Sequence, residues 1–158
     1  MDFYHPLFKL KNNTVEKMTN KMNKKEFLKK MESVNFENII KKITKKHPNI
    51  ARVWTEEGAR DAVEQYKKFM FIVYKYENGD AYIAPSIEVD EIWHHHILDT
   101  KNYKKDCENI FGYFVHHFSY FPSSKNEEDT FKSMNNHFMK TQELYFKEFG
   151  EHMYEVDF

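Results

Sequence analysis

Five of the nine histidines in this 158-residue chain fall at positions 94, 95, 96, 116 and 117, and the only cysteine, Cys107, lies among them. The same stretch carries Trp93, Asp99, Tyr103 and Asp106. Neutral imidazoles and carboxylates at this density suit a divalent transition metal such as Zn, Fe(II) or Cu, and a thiolate from Cys107 would favour the softer ones. The metal set read from these residues is His94, His96, Asp99 and His117, with Trp93, Tyr103, Asp106, Cys107 and His116 around it as pocket or supporting residues. A reaction at such a site would act on a small molecule or peptide. No spacing here matches a zinc finger or an HExxH helix, and no nucleophile elbow, phosphate loop or dinucleotide fingerprint is present.

Two other chemistries compete for the same residues. Inward histidines bonded to carboxylates or backbone carbonyls would form a buried hydrogen-bond network, making the protein a non-catalytic interaction or structural module. Alternatively, a His–Asp pair could act as general base with Cys107 or Tyr103 as nucleophile or acid, without a metal. A lone cysteine on a buried helical face is more often inert packing.

The element that must position these groups starts at Pro85-Ser86, a helix-start signal followed by the acidic residues Glu88 and Asp90. At about 100° per residue, Val89, Ile92, Trp93, His96, Tyr103, Cys107 and Ile110 share one face, with Asp99 at its edge. His95 turns toward Asp99 and Asp106, and His94 points to the opposite side, so one continuous helix cannot bring all three imidazoles to one ion. A break near Asp99-Thr100, with the aspartate capping a second helix over 100–111, would place the end of one helix and the start of the next around a shared pocket.

Around this stretch the chain reads as helices. Residues 1–13 form an arm that Pro6 and Asn12-Asn13 keep from becoming a long helix. Apolar residues follow at helical spacing from about 14 to 30, and Asn23 can cap a short helix there. A second helix runs from about Asn35 to near His47, ahead of Pro48. Residues 55–76 are the plainest helix, capped by Thr55, although Phe71 and Ile72 leave a strand over 70–76 as the alternative. Asn78-Gly79-Asp80 is a turn, 123–126 a loop, and 127–149 a final helix. His5 and His47 read as exposed or capping residues, and His137 and His152 as core-edge ones. The fold expected is all-α: a compact single-domain bundle of five or six helices spanning 1–158.

Composition narrows the classes. Aromatic residues make up 17% of the chain, enough for a substantial core despite 31% charged residues, and a net charge of −1 gives no reason to expect nucleic acid as a partner. The lysine-rich stretch over 9–46 reads as a solvated face. One cysteine excludes an internal disulfide, and neither an apolar run of membrane-spanning length nor a secretory signal stands out. A cytoplasmic protein without membrane contact is the expectation.

The string PSIEVDEIWHHHILDTKNYKKDCENIFGYFVHHFSYF resembles the core of the glycine-rich-domain-containing-protein-like family. Pro85, Val89, Asp90, Trp93, His94, His96, Asp99, Thr100, Tyr103, Asp106, Cys107, Phe111, Gly112, His116 and His117 match that pattern, and His95 falls on its variable position. The resemblance spans about residues 54–122, the family-like core, and takes in Tyr66 and Phe69. The family's glycine-rich tail is not in the sequence, and Ser119 stands where proline is common. The resemblance implies that His94 and His96, rather than His95, belong to a site used for metal binding or catalysis.

Overall fold

The computed structural model describes residues 21–46, 52–76, 83–117 and 127–156, and among these residues it is all-α with no strand. Among the described residues six helices follow in chain order: α1 (Lys24–Glu32), α2 (Glu37–Ile43), α3 (Glu56–Tyr76), α4 (Ile87–Leu98), α5 (Thr100–Ile110) and α6 (Glu127–Phe149). The arm over 1–13, His5, His47, the 78–80 turn and the 123–126 loop lie outside the described residues.

Local chemistry explains most of the helix starts. Asn23 and Glu26 form a reciprocal capping box at α1. The Thr55 hydroxyl oxygen accepts from the Gly58 N–H (3.0 Å), and that of Ser86 accepts from the Val89 N–H (3.2 Å). At α2 the expectation was too long: the helix starts at Glu37, whose N–H is taken by Asn35 Oδ1 (3.0 Å), and ends at Ile43.

α3 is the hub, packing against α1, α2, α4 and α6. Residues 69–74 are buried all the way round it, which is why their composition also read as a strand; the helix instead runs unbroken to Tyr76. Ala59 and Ala62 are fully buried, and their small side chains let neighbouring helices come close to its first half. Leu28, Phe138 and Leu144 cover the margins of this core. The connection into α3 is stitched to α4 through Glu91, which accepts from Arg52 Nη2 and from Trp54 Nε1, each at 3.0 Å. Among the described residues no helix is long and apolar enough to cross a membrane.

The chain breaks at Asp99, where ψ reaches 68°, and α5 begins at the next residue. Asp99 occupies the cap position, but its carboxylate makes no capping bond and instead accepts from the Asn102 side chain (2.7 Å). The whole predicted stripe is buried, from Val89, Ile92 and Trp93 on α4 to Tyr103, Cys107 and Ile110 on α5. α5 ends in a left-handed glycine, Gly112 (φ +77°), whose N–H returns to the Glu108 carbonyl (3.1 Å). That turn sends residues 113–117 back toward α4.

Candidate metal centre

Asp90 and His94 are four residues apart on α4, so they sit one turn apart on the same face, and Asp90 Oδ2 lies 3.3 Å from His94 Nδ1. The third member arrives from the segment after Gly112. Tyr103 anchors that segment by donating its hydroxyl to the Val115 carbonyl (2.6 Å), and the same oxygen accepts from Trp93 Nε1 (3.0 Å). His117 then reaches α4: its Nε2 is 2.6 Å from Asp90 Oδ1. Its ring centroid stands 4.3 Å from that of Trp93 and 4.5 Å from that of His94.

One ligand atom from each of Asp90, His94 and His117 can be chosen so that all lie within 4.8 Å of one another. Asp90 and His117 are half-buried and His94 is exposed, which leaves solvent access on one side. A cleft of about 240 Å³ lies beside them, lined by His94, Ile97, Tyr103, Phe114, His116 and His117.

His96 occupies a different environment. It is 5% exposed, and both ring nitrogens are engaged: Nε2 with Asp106 Oδ2 and Nδ1 with the Tyr66 hydroxyl, each at 3.0 Å. An ionised carboxylate only accepts, so Nε2 carries the proton, Nδ1 accepts, and Tyr66 donates. Burial pushes the Tyr66 phenol well above its ordinary value, which keeps it a donor. Burial also pulls the His96 value below its ordinary 6.5, partly offset by the bond to Asp106 and its charge.

The sign of the resulting pH effect follows. The unfolded chain takes up the His96 proton more readily, so this contribution to stability is complete above about 6.5 and is lost as pH falls toward the folded value. Burial, then Lys42, pull His95 down as well. The melting temperature should therefore drop from about pH 7.5 to about pH 5.5, and His96→Gln should reduce that slope without abolishing it. An unchanged slope in the variant would show that His96 is not the group responsible.

Of the expected metal set, the structure brings together His94 and His117 and leaves His96 and Asp99 elsewhere. The break comes after all three histidines, so 94–96 stay on one helix and His94 and His96 diverge by about 200°. Asp99 is exposed and bonded to Asn102. Trp93 and Tyr103 form the wall between the two histidine environments, Asp106 serves His96, and His116 is exposed at the cleft beside the Phe114 ring. Cys107 is 2% exposed, and burial pushes its thiol up, away from the thiolate that soft-metal ligation or attack requires. Asp90 was read as a first-turn acid and as a match to the resembled pattern, and was not placed in the site. The signal that would have found it is its i,i+4 spacing to His94.

Comparison with protein families assigns residues 23–147 to the UCP032817-like model. The chain belongs to the UCP032817-like family. This corrects the resemblance drawn over 54–122: the Trp-His-x-His and His-His pattern does not make the chain a glycine-rich-domain-containing-protein-like protein. The matched span takes in α1 to α5 and most of α6, so α4 and α5 lie wholly within it. No curated protein and no solved structure matches the chain.

Proposed function

We propose that this UCP032817-like protein binds a divalent transition metal through Asp90, His94 and His117, and that the bound ion serves a reaction on a small molecule or peptide held in the adjacent cleft. The observation that carries this reading is the convergence of two imidazoles and one carboxylate from two separate stretches of chain. The donor set fits Zn or Fe(II), with Cu also accommodated, and leaves further coordination positions for water or substrate.

The spacing is within reach of side-chain adjustment. Ligands around a tetrahedral ion with bonds of about 2.0–2.1 Å sit about 3.3 Å apart. His94 Nδ1 lies 3.3 Å from Asp90 Oδ2 and His117 Nε2 lies 2.6 Å from the other oxygen, Oδ1, so the imidazoles flank the two ends of the carboxylate. Small side-chain rotations must bring one donor atom of each residue, now within 4.8 Å of one another, to that spacing. Without the ion, a proton on His117 Nε2 fills the same role by donating to Asp90, so metal and proton compete for the site. An ion there would polarise a substrate carbonyl or lower the pKa of a bound water. The chain's own part is to fix the ligands: Trp93 and Tyr103 hold His117 in place.

The competing reading, a structural module, draws support from the same 2.6 Å bond, since Asp90 and His117 already satisfy each other. Metal analysis of protein purified without an affinity tag separates the two. The proposal expects about one equivalent of Zn, Fe or Cu, and a melting temperature that rises when the ion is added, by mass action. Below about a tenth of an equivalent, with no thermal shift, the module is the better description.

A further inference from the structure

A second cleft, of about 350 Å³, lies between the start of α4, α6 and the chain after α6. Its walls are fixed by bonds between elements. The Thr141 hydroxyl oxygen accepts from the Ala84 N–H (2.9 Å), and Gln142 pairs with both the N–H and the carbonyl of Met153, each at 2.9 Å. Glu88 lines this cleft and is 7% exposed, yet among the described residues no hydrogen bond or ion pair engages its carboxylate. Its position in the first turn of α4 gives a favourable helix-dipole interaction, and its carboxylate oxygens, which keep access to the cleft, have no protein partner among the described residues.

The rest of the lining has one chemical character. Glu155 adds a second carboxylate, Phe138 and Tyr154 supply aromatic rings, Met153 supplies a thioether, and no Lys, Arg or His takes part among the described residues. A largely buried carboxylate side chain that opens on the cleft, with aromatic residues in the same lining and no cationic partner among the described residues, is complementary to an organic cation: the ammonium pairs with the carboxylate while its alkyl groups lie against the aromatic side chains. We propose that this cleft binds an alkylammonium group, whether carried by a free amine or by a lysine side chain. The site is independent of the Asp90–His94–His117 cluster, since Glu88 and Asp90 are two residues apart on α4 and point to different sides.

The test titrates the full chain with n-butylammonium, tetramethylammonium, n-butanol and butyrate, following Phe138 and Met153 signals by NMR. The two cations should bind with millimolar dissociation constants, and the alcohol and the carboxylate at least about tenfold more weakly. Glu88→Gln, which keeps size and shape, should weaken the cations by about tenfold while leaving butanol and metal binding unchanged. A lysine-containing peptide, compared with its acetyl-lysine counterpart, distinguishes a side-chain source from a free amine. Equal binding of butanol and butylammonium by the wild type, or full cation affinity in Glu88→Gln, overturns the proposal. The wild-type series decides the matter even if the variant folds poorly.

Discussion

Replacing His117 by alanine should weaken metal binding by about 100-fold or more, roughly 3 kcal/mol, and abolish the metal-dependent rise in melting temperature. Among the described residues the ring has no substitute nearby: His116, adjacent in sequence, is exposed and lies beside the Phe114 ring. His94→Ala and Asp90→Ala should do the same, because each removes one of three converging donors. The decisive comparison is with His96→Ala and Asp99→Ala. Both should leave metal affinity within about threefold, since neither residue reaches the cluster, although His96→Ala should also lower stability. Isothermal titration with Zn on each variant, alongside circular dichroism to confirm folding, makes the measurement. Loss of metal binding in a folded His96→Ala protein, with His117→Ala unaffected, would move the site to the other side of Trp93 and end this assignment.

Tyr103→Phe should destabilise the protein by about 2–4 kcal/mol, a large effect for the loss of one oxygen atom. The hydroxyl accepts from Trp93 Nε1 and donates to the Val115 carbonyl, both within the core. Phenylalanine fills the same volume but leaves a buried donor and a buried acceptor unpaired, at about 1–3 kcal/mol for each group. Metal affinity should fall as well, by about tenfold, because Val115 is two residues from His117 and its anchor sets the approach of that ring. Urea denaturation gives the first quantity and zinc titration the second. A change in stability below about 1 kcal/mol would mean that a neighbouring group or water replaces the hydroxyl.

What the sequence disclosed and what it hid follow from the range of the interactions involved. Asn23, Thr55 and Ser86 announced their helices because capping is a contact between residues two or three apart. The buried stripe from Val89 to Ile110 was legible for a related reason, since helical rotation fixes which side chains share a face. The Asp90–His94–His117 cluster was only partly legible. His94 and His117 were named, but Asp90 is 27 residues from His117 in the chain, and nothing local states that they meet. The two were joined by the Gly112 turn and the Tyr103 anchor, both of which depend on the packed structure. The environment of His96 was hidden for the same reason: Tyr66 comes from α3 and Asp106 from α5, and only the assembled bundle brings them to one ring. The family resemblance failed differently. It matched a short string of striking letters over 54–122, whereas the family model extends over 23–147.

The stitching of α5 has a consequence for how the protein opens. Asp106 ties its middle to His96 on α4, Tyr103 ties it to the segment that follows, and His117 ties the end of that segment back to Asp90. Residues 99–117 are thus a segment fastened to α4 at its middle and at its far end, with a further hold from α1, where Lys30 Nζ donates to the Asn109 carbonyl (2.7 Å). Such a segment cannot fray progressively from one side, because releasing any one fastening leaves the others holding the same chain. Its amides would exchange with solvent as one block, on a timescale set by the joint failure of its ties. A metal ion at the distal tie would then slow exchange across the whole of α5, including turns that lie far from any ligand.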